Sequence, residues 1–230
     1  MQNSLRLDWI GRSSAAKACR MWHYSKTMPV SPGVSLGVWE GSRFIGALIY
    51  ARGANRNMGA PYGLAQHQCL ELVRVALNKH DAPVSRIIAI SIRLIKKQYP
   101  GLELIVSYAD PEEGHAGTIY QAGNWIYSGD TATSFEWRLN GARLQKRAFT
   151  GSNFGGKKSV LPAGAIRVRT KPKHRYLMPL TKPMRVRVSA LAQPYPKRVS
   201  SSEPSENPSE VGGAAPTLTL HPSPTTLERD

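Results

Sequence analysis

LELVRVALNKHDAPVSRIIAISIRLIKKQYPGLELIVSYAD, residues 70–110, places a long amphipathic run between two short apolar ones. The middle run, VSRIIAISIRLIKKQ (84–98), follows Pro83 and stops before Pro100-Gly101. Ile88, Ile92 and Ile95 fall at i, i+4 and i+7, so the spacing predicts a helix with one apolar face. LELVRVAL (70–77), interrupted by Arg74, and LELIVSYA (102–109) are rich in β-formers and predict buried strands.

Outward from this unit the chain keeps alternating. LRLDWI (5–10) predicts a short strand. Ser13 or Ser14 offers an N-cap, and AAKACRMWHYSK (15–26) continues as a helix until Pro29, Pro32 and Gly33 stop it. SLGVWE (35–40) and RFIGALIYA (43–51) flank Gly41-Ser42, a two-residue turn suited to a hairpin. Downstream, EEGHAGTIYQAG (112–123) predicts a short helix ended by Gly123, and NWIYSGD opens a further strand. The fold class is therefore α/β, a mixed sheet with helices on its faces. After Arg138 the pattern is less regular, with IRVRT (166–170) as a short strand candidate. From about Ser189 Pro, Ser, Thr and Glu dominate, which predicts a disordered tail. The expected organisation is a catalytic domain over 1–142, a basic extension over 143–188 that packs on it and contacts DNA, and a Ser/Pro-rich tail over 189–230.

Hydrophobic residues make up 41% of the chain, enough for a core. No stretch reaches the roughly 18 apolar residues of a membrane span, and MQNSLRLDWIGRSS lacks the apolar centre of a signal peptide. The two cysteines, Cys19 and Cys69, form no CxxC, so neither a structural disulfide nor a cysteine-rich zinc site is expected. These features fit a soluble intracellular protein.

The net charge of +16 is concentrated. Residues 1–142 carry 15 Lys/Arg against 10 Asp/Glu, residues 143–198 carry 15 against none, and residues 199–230 carry one against five. Basic side chains on phosphates release counterions, so nucleic acid is the partner class such a segment favours. An anionic membrane surface and a merely solubilising segment are the alternatives.

Several residues are candidates for chemistry. Asp110 ends a predicted strand before Pro111, and strand carboxyl ends are where open α/β sheets bind ligands; an N-cap role is the equal alternative. Tyr120 follows on the next helix and either faces the same crevice or packs. His23 and Tyr24 put an imidazole beside a phenol, although a hydrogen-bonded core histidine is the simpler reading. Trp22, Trp39, Trp125 and Tyr127 read as core. Arg74 in an apolar strand needs a partner: a phosphate, Glu71 or Asp110. Ser85 and Arg86 open the helix, whose free N–H groups suit an anion, although no Gly-rich phosphate loop is present.

Longer strings carry a resemblance. CRMWHYSKTMPVSPG (19–33), FIGALIYARGANRNMGAPYGL (44–64), CLELVRVALNKHDAPVSRIIAISIRLI (69–95), LIVSYADPEEGHAGTIYQAGNWIYSG (104–129) and KPKHRYLMPL (171–180) resemble the Mom family of DNA-modification proteins from Mu-like phages. The resemblance implies a fold related to the GNAT acyltransferases. It also implies conversion of adenine N6 in double-stranded DNA to a carbamoylmethyl (acetamido) group, which protects phage DNA from restriction in the host cytoplasm, at the nucleoid. By matching string, His23, Tyr24, Asp110 and Tyr120 take the family's catalytic positions. Arg74 and Ser85 take those assigned to an acyl-CoA such as acetyl-CoA. The family's link to iron implies Tyr24, Asp110 and Tyr120 as metal ligands, with a metal-assisted radical or redox step and His23 as acid/base or a further ligand. Two other classes remain: an acetyl-CoA-dependent N-acetyltransferase acting on a protein or small molecule, and a non-catalytic DNA-binding protein.

Overall fold

Gly41 turns the chain at a φ of 61°, a left-handed value that glycine adopts without a Cβ clash. It closes the expected hairpin of β2 (Gly33–Glu40) and β3 (Arg43–Ala51). β1 (Leu5–Trp9) precedes the hairpin and is followed by α1 (Arg12–Trp22). After the hairpin come β4 (Cys69–Leu77), α2 (Val84–Gln98), β5 (Leu104–Ala109), the four-residue α3 (Thr118–Gln121) and β6 (Ile126–Asp130). Then follow β7 (Ser134–Leu139), β8 (Ala142–Leu144), β9 (Ile166–Thr170), β10 (His174–Pro179) and α4 (Lys182–Ser189). The computed structural model describes residues 4–53, 57–144 and 160–197.

Seven strands form one mixed sheet in the order β1-β2-β3-β4-β5-β10-β6, and β8-β7-β9 form a second, small one. Only β4 and β5 are parallel in the main sheet. Helices cover both of its faces, as the α/β reading requires. Ile87, Ile88 and Ile95 of α2 pack on Leu36, Tyr50, Leu72 and Ile105. On the other face Ala15, Ala18 and Cys19 of α1 meet Ala47, Ile49 and Ala76, while Met184 and Val188 of α4 meet Leu104, Val106 and Leu177. Each fully buried isoleucine of α2 contributes about 2 kcal/mol by its removal from water. Cys19 and Cys69 are both buried free thiols, and no helix among the described residues is long and apolar enough to cross a membrane.

One local departure from regularity shapes the molecule. The parallel pairing of β4 with β5 runs from Cys69–Leu104 to Glu71–Val106 and stops there. At the same point the β3 ladder shifts register, with Ile49 opposite Arg74 and Tyr50 opposite Leu72, so Val73 is the extra residue of a bulge. A bulge bends its strand, and here it turns β4 away from β5. The carboxyl ends of the two strands therefore part.

Four sequence expectations change. The first helix stops at Trp22, because His23 is already extended (φ −101°, ψ 139°); His23 and Tyr24 lie in the turn beyond it. The single helix expected over 112–123 is a 3-10 turn, Pro111–Glu113, and α3, separated by left-handed Gly114 and Gly117. At Gly117 a Cβ would stand 2.3 Å from the Tyr176 ring, so no other residue fits there. The expected boundary after residue 142 does not divide the fold: it cuts β8, and β10 is an interior strand of the main sheet, not an appended extension. The tail expected from residue 189 begins later. Gln193 N–H donates to the Tyr127 carbonyl, and the Tyr195 hydroxyl donates to that of Trp125, so ordered packing continues toward Lys197. The rest of the expected tail, 198–230, lies outside the described residues, as does SNFGGKK.

Candidate active site

Where β4 and β5 part, a cavity of about 490 Å³ opens. Val73, Val75 and Leu77 wall it on the β4 side and Tyr108 and Ala109 on the β5 side; Val84 of α2, His23, Tyr24, His115 and Tyr120 complete it. A second cavity of about 660 Å³ lies beside it, lined by Arg74, Glu71, Glu112, Arg138, Arg143 and Lys173 among others. Tyr24 and Val73 belong to both walls.

The parted strands leave main-chain groups that side chains must satisfy. The Leu72 carbonyl accepts from the Ser107 hydroxyl at 2.8 Å, and Ser107 Oγ lies 2.7 Å from the Tyr120 hydroxyl. Since Ser107 has one proton, Tyr120 donates to Ser107 and Ser107 to Leu72. Burial pushes the Tyr120 phenol up to about 12, and the buried ring stacks at a tilt on Trp125 and Tyr176, with centroids 5.1 and 5.2 Å away. Arg74 finds its partners in the same way. Its guanidinium donates to the carbonyls of Val73, the bulge residue, at 2.9 Å and of Thr27 at 3.3 Å.

His23 is 7% exposed. The Ser25 N–H donates to its Nδ1 at 3.1 Å, which leaves the ring proton on Nε2. Desolvation first, and the charge of Arg74 next, lower its pKa to about 3, so the imidazole is neutral at physiological pH. The Tyr24 ring lies 4.3 Å from that of His23 and 5.6 Å from that of His115. Its hydroxyl, raised above the usual phenol range by desolvation, sits in the fields of Lys173, Asp110 and Arg74.

Asp110 takes the capping role, one of its two alternative readings. Oδ1 accepts from the Glu112 N–H at 3.2 Å and caps the 3-10 turn. Oδ2 is buried without a hydrogen bond and lies 2.7 Å from the Lys173 ammonium, close enough for charge pairing although the donor angle is poor. The β10–β5 register explains this partner: His174 stands opposite Ala109, so one residue further along Lys173 meets Asp110. Arg138 and Arg143 close the rim, both bridging Glu112 and Glu136.

The structure places His23, Tyr24 and Tyr120 on the first cavity and Arg74 on the second; Asp110 lines neither, and joins them through its pairing with Lys173 and the field it exerts on Tyr24. Ser85, half-buried on the first turn of α2, lines neither cavity, although its neighbour Val84 lines the first. Lys173, Ser107 and His115 were not singled out from sequence. Their signal is topological: β10 must insert between β5 and β6 before residue 173 can reach residue 110.

The donor set expected for iron does not fit this arrangement. The Tyr120 hydroxyl is committed to Ser107. Asp110 Oδ2 is already matched by Lys173. Among the described residues no three of His, Cys, Asp and Glu are placed to hold a metal ion.

A mixed sheet opened at the carboxyl ends of two parallel strands, with imidazole, phenol and carboxylate gathered at the opening, defines an α/β protein with a polar strand-end crevice. The model of the Mom protein family matches residues 4–197, and the chain belongs to that family. It is 30% identical over 204 residues, 84% of either chain, to methylcarbamoylase mom of Escherichia phage Mu. Among solved structures it is similar to a Bacillus subtilis acetyltransferase in complex with CoA, at 13% identity over 77% of this chain and 100% of that one, with a TM-score of 0.46. An IAA acetyltransferase from Bacillus cereus matches at 11% identity over 77% and 100%, with a TM-score of 0.45.

Proposed function

We propose that this chain is a DNA-modifying transferase that converts adenine N6 in double-stranded DNA to N6-carbamoylmethyladenine and thereby shields phage DNA from restriction in the host cytoplasm, at the nucleoid. The observation that supports it most is the convergence of His23, Tyr24, Asp110 and Tyr120 at the parted strand ends, in a chain of the Mom family.

The target atom is a weak nucleophile, because its lone pair is delocalised into the purine, and it is stacked inside the duplex. The base must be flipped out, and a polar crevice beside basic side chains is suited to receive it. Replacing one N6 hydrogen by carbon requires that its proton leave. The neutral, proton-bearing His23 is a hydrogen-bond donor here rather than a base, since its pKa is about 3. The Asp110 carboxylate is the proton acceptor, once Lys173 turns from Oδ2 toward a DNA phosphate. The Tyr24 phenol, held protonated, donates to the base or the amide, and the Tyr120 oxygen, whose proton goes to Ser107, accepts. Val73, Val75 and Leu77 provide an apolar wall along which the arm of an acyl-CoA donor would lie. A thioester alone delivers its carbonyl carbon, whereas the product joins nitrogen to a methylene, so simple acetyl transfer is not the complete reaction. Iron enters no step, because the donor set does not fit it.

Expression in a restriction-tolerant host, followed by nucleoside mass spectrometry of the host DNA, tests this reading. An adenosine heavier by one carbamoylmethyl group supports it. Unmodified DNA from cells that hold soluble full-length protein overturns it.

A further inference from the structure

The small sheet has two unlike faces. Residues paired across an antiparallel ladder project to the same side. Phe135 pairs with Arg169 and Trp137 with Arg167, so these four share one face; Glu136, Arg138 and Val168 lie on the other. On that second face the charges are used internally. Buried Glu136 holds Arg138 at 2.7 Å and also holds Arg143, and both arginines reach Glu112 beside the crevice.

The first face is different. Neither Arg167 nor Arg169 has a carboxylate partner among the described residues. Arg169 touches only the Thr133 hydroxyl, at 3.3 Å, and the Arg167 guanidinium lies 3.9 Å over the ring of Phe135, which is 38% exposed. Arg167 covers one face of the Phe135 ring, and the rest of that exposed ring and the half-buried Trp137 indole leave aromatic surface beside two guanidiniums that have no carboxylate partner among the described residues. Phosphates match the guanidiniums and base faces the aromatic surface. A paired duplex hides its base faces, so it would meet only the charges. An opened strand would use both.

Resting on the DNA reading above, we propose that this face is a platform for unpaired nucleotides, with bases stacking on Phe135 and Trp137 and phosphates held by Arg167 and Arg169. The chain continues from β9 through Lys171 to Lys173 at the crevice. Arg169 stands four residues from Lys173, so at most about 14 Å of chain separates platform and crevice. The platform holds the strand opened next to the flipped adenine and lowers the penalty of unpairing it.

Fluorescence anisotropy of the full-length protein with labelled oligothymidylate, and with the same strand in a duplex, tests the proposal. Wild type binds the single strand. Phe135→Ala weakens that complex by about 5- to 100-fold, the loss expected for one stacked base, and changes duplex affinity by about twofold or less. Phe135→Tyr retains the stack and binds the single strand as wild type does, which separates stacking from folding. Arg167→Gln with Arg169→Gln weakens both complexes and flattens the salt slope by about one to two phosphate contacts. If Phe135→Ala binds the single strand undiminished while adenine is still modified, the platform is wrong and the functional reading stands. If the single strand binds as described but adenine stays unmodified, the functional reading fails and the platform stands.

Discussion

The Lys173 ammonium lies 2.7 Å from Oδ2 of Asp110, a buried oxygen that takes no hydrogen bond. The lysine side chain is 41% exposed and the aspartate 3%, so a solvent-facing charge is paired with a buried one at the end of β5. In the free protein the lysine neutralises a carboxylate that burial would otherwise penalise. On the proposed function, an arriving DNA phosphate would compete for the same ammonium and free the carboxylate.

Lys173→Met leaves Asp110 buried without its counter-charge. Stability falls by about 1–3 kcal/mol, between the values for exposed and fully buried pairs. Adding Asp110→Asn restores most of that loss and no modification activity, whereas Lys173→Arg keeps both. Urea unfolding of the single and double variants measures the coupling; strictly additive losses would show that the two side chains do not interact.

Tyr120, Ser107 and the Leu72 carbonyl form a relay at the point where β4 leaves β5. Tyr120→Phe keeps the Ser107–Leu72 bond and costs about 1 kcal/mol. Ser107→Ala strands both a buried phenol and a carbonyl and costs about 2–4 kcal/mol, although serine is the smaller side chain to remove. Thermal unfolding ranks the two. The reverse order would mean that the Tyr120 hydroxyl, not Ser107, is the member on which the strand ends depend.

The parts of this architecture that were legible in the sequence are those set by local periodicity. α2 occupies its predicted span because Ile88, Ile92 and Ile95 determine one helical face, and the hairpin forms about Gly41 because only the turn chemistry was needed. Of the crevice only residue types and places were legible: Asp110 directly follows a strand, and His23 and Tyr24 line the cavity. What stayed hidden is non-local. IRVRT was visible as a strand, but nothing in its pattern says that it joins a second sheet. HRYLMP was visible only within the family-like string KPKHRYLMPL, and its insertion between β5 and β6 follows from the packing of Tyr176 and Leu177, which are fully buried in the assembled sheet. Arg74 was marked as needing a partner, and it donates to two main-chain carbonyls, of Val73 at the bulge and of Thr27 in the loop after α1, an arrangement that leaves no mark in the sequence.

His23 imposes a pH dependence on folding. Its pKa is lowered from 6.5 to about 3 in the folded state, so the unfolded chain binds this proton first. Stability contributed by the neutral ring is present above pH 6.5 and is lost progressively as pH falls toward about 3. The slope is at most about 1.4 kcal/mol per pH unit, one proton's worth. His23→Gln removes this component, and chemical unfolding of both proteins between pH 7 and pH 4, within about that window, should converge toward the acid end. Parallel curves would mean that His23 titrates alike in both states.

The residues after α4 hold the aromatic edge of the sheet. Gln193 N–H donates to Tyr127, the Tyr195 hydroxyl to Trp125 at 2.7 Å, and the Gln121 side chain to the Pro196 carbonyl at 3.2 Å. Tyr195 also faces Tyr176, ring centre to ring centre at 6.4 Å. A chain ending at Ser189 loses these contacts next to Tyr120 and Trp125, which lie behind the crevice. It is expected to lose about 2–4 kcal/mol, from two or three hydrogen bonds and one packed ring. A chain ending at Arg198 keeps every contact named here and retains full stability and adenine modification. Melting temperature and nucleoside analysis of the two truncations separate the cases. Equal stability of both would place the functional end of the domain at α4, and loss of modification in the longer chain would give residues 199–230 a role in the reaction.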